Sequence, residues 1–131
     1  MHLVQDFLSP LAQEALFTDD QWMAALLRFE SGLAQAEADC GLIPTEAAAA
    51  VARACAAVQI DPAAFSAQAR HTGALGMAVV GPLRQWLLAH EPDMAPWLHW
   101  GTTTQDVVDT ANSLVTQTAL TVLQTELDRL V

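Results

Sequence analysis

Apolar residues recur at the spacing of α-helices along almost the whole chain, and the alternation typical of strands is nearly absent. The clearest example runs from Asp19 to Cys40. Its apolar face consists of Trp22, Ala25, Leu26, Phe29, Leu33, Ala36 and Cys40. Thr18 or Asp19 can cap the start of this helix, and Gly41 followed by Pro44 can end it. The pattern therefore predicts an all-α fold.

Proline and glycine divide the middle of the chain into three further predicted helices, over residues 44–58, 62–72 and 75–89. The first of them is rich in alanine, which has the highest helix propensity. Asp61 can cap the second, with Pro62 at its first position and Gly73 as its stop. Gly81 and Pro82 lie inside the third, where proline cannot supply a backbone donor. We therefore expect a kink or a restart there.

The segment "HEPDMAPWLHWG" reads as a loop, and the residues after it predict one long helix that runs to Val131. Thr103 and Asp106 match a capping-box pattern at its start. Its apolar residues spread around more than one face, as in helices that are buried on several sides. No C-cap glycine ends the pattern. Two interpretations fit: the chain is a fragment of a longer protein, or this helix joins a bundle between subunits.

Charge and composition limit the classes of function. The 131 residues are 53% hydrophobic, which suffices for a core, and the formal net charge is −10 with five arginines and no lysine. Nucleic acid and anionic membranes are therefore not expected as partners, because phosphate binding needs clustered basic residues. No signal peptide is apparent, and the most apolar window, residues 74–83, is too short to span a bilayer. Cys40 and Cys55 fit reduced thiols, so a soluble, cytoplasmic protein is expected.

The stretch "WLHWGTTTQDVVDTA" carries the main candidate site. A helix N-terminus offers unpaired N–H groups and a partial positive charge, so it can hold a carboxylate without lysine. The hydroxyls of Thr102, Thr103 and Thr104 add side-chain donors in this turn. The Gln105 amide is a further donor, and His99 lies just upstream. Plain helix caps and a packed loop histidine are the simpler interpretation of the same spacing.

Other ionisable residues give weaker signals. Glu30 and Glu37 lie two turns apart on one helix side, which fits a solvated or intersubunit face. No pair of histidines has the spacing that chelates a metal, so no metal site is predicted. Nothing in the sequence calls for a cofactor, because phosphate loops and nucleophile elbows are missing.

The segment "HWGTTTQDVVDTA" resembles the first conserved region of the fumarase, aspartase and adenylosuccinate lyase superfamily, which has a pattern close to His-x-Gly-Ala-Thr-Ser-Gln-Asp-x-x-Asp-Thr-Ala. The matching residues are His99, Gly101, Thr103, Gln105, Asp106, Asp109, Thr110 and Ala111. Within the superfamily the chain is most similar to the cycloisomerase family that lactonises 3-carboxy-cis,cis-muconate in protocatechuate degradation. The stretches "FLSPLAQEALFTDDQWMAALLRFESGLAQAEADCGLIPTEAAAAVA" and "TGALGMAVVGPLRQWL" support this likeness.

The resemblance implies a helical homotetramer with active sites built from three subunits and a small carboxylic acid as substrate. Residues 1–101 would form the N-terminal helical domain, and residues 102–131 the start of a long helix of the central bundle. His99 would contact the substrate as a catalytic residue, and Thr103 and Thr104 would bind one of its carboxylates. Gln105 and Asp106 would shape the same pocket.

The sequence also departs from the family pattern. Thr102 replaces the usual alanine, Thr104 replaces serine, Ala74 stands where an asparagine is common, and the following proline is displaced to Pro82. The family's principal acid and base would lie beyond Val131, so the chain alone is expected to be inactive. Two alternatives remain: a fumarate-eliminating lyase of the adenylosuccinate type, and a helical oligomerisation module without catalysis.

Overall fold

Helices are the regular secondary structure of the described part of the chain, which in this computed structural model comprises residues 17–130. Five α-helices and one short 3-10 helix follow each other. They are α1 (Asp19–Asp39), α2 (Thr45–Ala57), α3 (Pro62–Thr72), α4 (Leu75–His90), the 3-10 helix (Pro92–Trp97) and α5 (Thr104–Asp128). The predicted all-α fold is confirmed. The opening part of the family-like N-terminal stretch, residues 7–16, lies outside the described residues.

The helix boundaries follow the predicted capping residues. The Thr18 hydroxyl accepts a hydrogen bond from the Gln21 N–H at 3.3 Å at the start of α1. Asp61 accepts from the Ala64 N–H at 2.9 Å at the start of α3. Gly73 ends α3 with φ 69, a left-handed conformation that costs glycine little. These local signals therefore determine where the helices begin and end.

Two predictions about the second half of the chain need correction. The helix α4 runs through Pro82 as one element, so no restart occurs at this proline. Proline removes one N–H from the helical ladder, but burial of Leu83 and Leu87 holds the following turns in place. The predicted loop after α4 contains the 3-10 helix, in which proline occupies an early position that needs no intrahelical donor.

The core forms where α1, α2, α4 and the first half of α5 meet. Its largest fully buried apolar side chains are Leu26, Val51, Val79, Leu83, Leu87 and Val107. Trp22 also joins α1 to α5 through a 2.9 Å hydrogen bond from Nε1 to the Asn112 side-chain oxygen. This packing holds the start of α5 beside the middle of α1, where the candidate site lies.

The face of α1 that is buried differs from the one predicted. The buried stripe is Met23, Ala25, Leu26, Glu30, Ala34 and Glu37, whereas Ala36 and Cys40 of the predicted face are exposed. Ala25 and Leu26 belong to both. The helix is therefore rotated so that two carboxylates point into the protein, and the alanine-rich α2 packs against it closely.

Apolar residues of α5 are buried only in its first half. Val107, Ala111 and Val115 are buried, whereas the later leucines are exposed. These are Leu120, Leu123, Leu127 and Leu130. The leucines in the second half of α5 are therefore exposed in this fold, although the sequence pattern predicted that the helix is buried on several sides. None of the helices within residues 17–130 is both long and apolar enough to cross a membrane.

Candidate functional site

The site is built on residues 98–106, which connect the 3-10 helix to the first turn of α5; we call them the motif segment. Leu98 anchors it, since only 2% of its surface is exposed. His99 and Gly101 adopt left-handed conformations, with φ 59 and φ 68. Left-handed backbone is common for glycine but uncommon for a residue with a Cβ. This backbone geometry turns the His99 side chain towards α1.

His99 forms a close pair with Glu30 of α1. The distance from His99 Nδ1 to Glu30 Oε1 is 2.8 Å. The Glu30 side chain has no exposed surface, and that of His99 is 12% exposed. A buried carboxylate needs a hydrogen-bond or charge partner to offset its desolvation. The side chain of His99, the predicted site residue, thus has its orientation set by a contact with the buried Glu30.

Glu37 is the second buried carboxylate, one heptad after Glu30 on α1. One oxygen of each, Oε2, is buried without a hydrogen-bond partner. Burial raises the pKa of Glu37, and the nearby Glu30 carboxylate raises it further, whereas His99 acts in the opposite direction. The interpretation of Glu30 and Glu37 as a solvated or intersubunit face is therefore wrong. The missed signal was their position between apolar residues in a heptad-spaced stripe.

The helix α2 closes the back of this cluster with Cys55. Burial, and after it the Glu30 carboxylate, raises the pKa of the Cys55 thiol to about 12, while a backbone hydrogen bond involving Ser31 acts the other way. A thiol of that kind stays neutral and is a poor nucleophile. Both cysteines are free. Among the described residues, no group of three or more His, Cys, Asp and Glu side chains is arranged to hold a metal ion.

Asp106 caps the start of α5. Its Oδ2 accepts hydrogen bonds from the Thr102 hydroxyl at 2.9 Å and from the Thr103 N–H at 3.0 Å. The Thr103 N–H, and next the Thr102 hydroxyl, lower the pKa of Asp106, and His99 contributes in the same direction. The capping interaction predicted between Thr103 and Asp106 is confirmed. Asp106 therefore orders the motif segment through hydrogen bonds within it.

Gln105 and Thr104 lie in the same first turn of α5. The Gln105 side-chain amide donates to Asp109 Oδ1 at 2.7 Å, on the exposed side of the helix. Thr104 is half-buried and packs against Gly76 of α4. A Cβ at position 76 would lie 2.8 Å from both the Cβ and the carbonyl oxygen of Thr104. Glycine is therefore required at position 76. Its lack of a side chain lets the segment "TGALGM" pack closely against the segment "GTTTQD".

A cavity of about 710 Å³ lies elsewhere, between α1, α3 and the loop after α3. Trp22, Phe65 and Leu75 form much of its apolar lining, and Arg70 lies at its side with its guanidinium donating to the Ser66 hydroxyl at 3.0 Å. Neither His99 nor the threonines of the motif segment line this cavity. This cavity is therefore separate from the candidate site at the motif segment.

Comparison with known proteins agrees with the geometry. The chain is 35% identical over 127 residues, 97% of its length, to a protein named 3-carboxy-cis,cis-muconate cycloisomerase in Bradyrhizobium diazoefficiens. It is 34% identical over 116 residues, 88% of its length, to nitrosuccinate lyase of Streptomyces davaonensis. The crystal structure of the 3-carboxy-cis,cis-muconate lactonizing enzyme from Pseudomonas putida matches 97% of the chain with a TM-score of 0.88 and 30% identity. No family model matches the chain.

Sequence and fold together thus identify homologues among helical lyases and cycloisomerases. In particular, the 3-carboxy-cis,cis-muconate cycloisomerases are homologues of this chain, which confirms the resemblance found in the motif segment. The chain spans only about 28% of the length of the Bradyrhizobium relative, 24% of the nitrosuccinate lyase and 29% of the Pseudomonas putida structure.

Proposed function

We propose that this chain is the N-terminal part of a 3-carboxy-cis,cis-muconate cycloisomerase and forms one wall of its active site. The observation that carries the proposal is the match of nearly the whole chain to such enzymes in both sequence and fold. The motif segment adds a second line of support, since it combines a helix N-terminus with a histidine whose ring contacts the buried Glu30 of α1. Neither the lyase of the adenylosuccinate type nor the non-catalytic module is favoured by the comparisons.

The proposed reaction closes a lactone ring within one molecule. A carboxylate oxygen of the substrate forms a C–O bond to one carbon of a C=C bond, and the neighbouring carbon receives a proton, so the product is an isomer of the substrate. Negative charge that develops next to a carboxylate during this addition must be stabilised by donors already in place. The residue that donates this proton would lie in the part of the relatives that this chain does not span.

The motif segment would bind one substrate carboxylate. The first turn of α5 supplies backbone N–H groups at the positive end of a 25-residue helix. The hydroxyls of Thr103 and Thr104 and the Gln105 amide would supply further donors from this turn. His99 would contact the substrate from the adjacent loop, while Asp106 would keep the segment in shape through its bonds to Thr102 and Thr103. No cofactor takes part in the proposal.

The assembly proposed is a homo-oligomer, a tetramer in the complete enzyme, in which other subunits complete the site. The exposed leucines of α5 would pack against equivalent long helices, since a helix seam with apolar residues three and four apart is typical of bundles. Residues 102–131 would then begin the central bundle and residues 1–101 would form the N-terminal domain. A role in aromatic degradation in the cytoplasm would follow from the substrate.

The test is a product assay on the complete protein, supplied in parallel with 3-carboxy-cis,cis-muconate and with succinyl adducts such as adenylosuccinate. We expect loss of the diene absorbance with formation of a lactone, and no release of fumarate from the adducts. The 131-residue chain alone should leave both substrates unchanged, because it supplies one wall of the site. Release of fumarate without lactone formation would move the assignment to a lyase, and absence of both reactions would leave an assembly module.

A further inference from the structure

The buried cluster below the motif segment contains two carboxylates and one imidazole. Glu30 and Glu37 project from α1, Cys55 faces Glu30 from α2, and His99 reaches the cluster from the motif segment, while Asp106 lies near it on the exposed start of α5. Two neighbouring buried carboxylates resist ionising together, because each charge raises the energy of the other. The acid that contacts a hydrogen-bond donor is the one better stabilised as a carboxylate.

Contact with His99 distinguishes the two acids. Glu30 lies 2.8 Å from Nδ1 of His99, within hydrogen-bond distance, and an N–H donor there stabilises the carboxylate form. Glu37 has a buried oxygen without any partner, and both burial and the proximity of Glu30 favour its protonated form. Of the two acids, Glu30 is therefore the one that has the imidazole as its hydrogen-bond partner. The Cys55 thiol remains neutral beside them.

A carboxylate can only accept a hydrogen bond, so a Glu30 carboxylate 2.8 Å from His99 Nδ1 requires a proton on that nitrogen. We propose that Glu30 is a positioning residue that holds the proton of His99 on Nδ1 and aims the ring so that Nε2 is the nitrogen available to the substrate. The second nitrogen of a histidine is commonly set in this way by the bond that the first one makes. The left-handed backbone at His99 and the full burial of Glu30 allow little freedom for another ring orientation.

The link to catalysis rests on the proposed function, whereas the position of the proton can be tested without any substrate. If the protein is a cycloisomerase, Nε2 meets a substrate carboxylate near the first turn of α5, and Glu30 acts only through His99. If the protein has another activity, the pairing of Glu30 with Nδ1 stands unchanged. These two parts of the proposal therefore fail separately.

The first experiment is ¹⁵N NMR of the histidine rings in the 131-residue chain, with His99 assigned by its loss in His99→Gln. Protonated and unprotonated ring nitrogens have well separated ¹⁵N shifts, so the spectrum reports the site of the proton directly. We expect a protonated Nδ1 at neutral pH, in either the neutral or the charged ring. A bare Nδ1 facing a protonated Glu30 would overturn the proposal, and this result needs no variant.

Three variants then assign the effect to Glu30. Glu30→Met removes the acceptor but keeps a similar length and volume, so the neutral ring should move from mostly Nδ1–H to mostly Nε2–H. Glu30→Gln keeps an acceptor oxygen of the same reach and should restore Nδ1–H. The matched control is Glu37→Met, which removes the other buried carboxylate of α1 and should leave Nδ1 protonated. Persistence of Nδ1–H in folded Glu30→Met, or its loss in Glu37→Met, would contradict a positioning role for Glu30.

The second experiment measures turnover of the complete protein in a double-mutant cycle. If Glu30 acts through His99, Glu30→Met should lower kcat by about tenfold or more, the size expected for losing a hydrogen bond to a charged group. In the His99→Ala background, Glu30→Met should lower kcat no further. Independent losses would contradict the proposal for catalysis. A complete protein without cycloisomerase activity would refute the proposed function instead, while the NMR result would still decide the role of Glu30.

Discussion

His99 combines an unfavourable backbone with a favourable side-chain contact. Its φ of 59 lies in the left-handed region, which costs a residue with a Cβ roughly 1–2 kcal/mol. The hydrogen bond to the buried Glu30 is large enough to offset this cost, because hydrogen bonds to charged groups contribute about 1.5–3 kcal/mol. Strain of this kind is retained where the surrounding structure fixes one conformation, and it often coincides with functional positions.

Replacement of His99 gives the first prediction. In the complete protein, His99→Ala should lower kcat by about 10²-fold, the lower range for loss of a positioned group that meets the reacting substrate. The exposed His71 offers a matched control, since His71→Ala changes the same residue type away from the motif segment. Sedimentation should show unchanged assembly for both variants. Normal turnover by assembled His99→Ala would exclude a substrate contact.

Gly76 sets how closely α4 approaches the start of α5. Gly76→Ala places a methyl group 2.8 Å from the Thr104 backbone oxygen, so the free energy of unfolding should fall by roughly 1–3 kcal/mol. Gly32→Ala is the matched control, because nothing lies within 4 Å of a Cβ there and alanine favours a helix. That control should gain about 0.5–1 kcal/mol. Both values come from urea unfolding of the chain, and equal effects at the two glycines would contradict the close approach.

Glu37 should make stability depend on pH. Its folded pKa is raised above the ordinary value of 4.5, so the folded state binds the proton more tightly. The resulting stability is fully present below pH about 4.5 and is lost as the pH rises through the folded pKa. Urea unfolding at several pH values should therefore show a decline with pH that Glu37→Gln removes. Asp39→Asn, at an exposed acid of the same helix, should keep the decline, and equal slopes for wild type and Glu37→Gln would refute the burial effect.

At the level of elements, local patterns predicted much of the fold. Capping residues, helix-stopping glycines and alanine content act within a few residues, so Thr18, Asp61 and Gly73 were identified correctly. The buried face of α1 was not, because which side of a helix packs depends on its partners. Ala36 and Cys40 are apolar yet exposed, whereas Glu30 and Glu37 are acidic yet buried.

The same reasoning limits what could be predicted of the site. The likeness of residues 99–111 to a known pattern pointed to the motif segment, and the Asp106 cap followed from its spacing. The partner of His99 could not be found in this way, because Glu30 precedes it by 69 residues and only the packing of α1 beside the motif segment joins them. The substrate roles of Thr103, Thr104 and Gln105 stay predictions.

The cap of α5 yields a prediction for the element. Asp106→Ala removes the acceptor of two hydrogen bonds and a carboxylate from the positive helix end, so the Tm at neutral pH should fall. Because its neighbours lower the pKa of Asp106, this contribution is present above pH about 3.8 and is lost as the pH falls through the folded value. Asp128→Ala, at the opposite end of the helix, should not lower the Tm, and equal effects of both variants would argue against capping.

At the level of the whole molecule, α5 ends in leucines that the described chain does not cover. In the complete protein, replacement of Leu123 and Leu127 by glutamine should weaken the proposed oligomer, because each leucine contributes exposed apolar surface to the seam. Leu42→Gln, at a similarly exposed leucine outside α5, is the control. Sedimentation velocity should show smaller assemblies only for the double variant. Unchanged assembly would place the interface elsewhere.

The central claim is that the first turn of α5 and His99 together receive a substrate carboxylate. The most direct measurement is a crystal structure of the complete protein with an unreactive carboxylate analogue of 3-carboxy-cis,cis-muconate. We expect one carboxylate within hydrogen-bond distance, about 3 Å, of donors at Thr103 and Thr104 and of Nε2 of His99, with Nδ1 still on Glu30. An analogue bound in a productive site away from this turn, with His99 remote from it, would contradict the account.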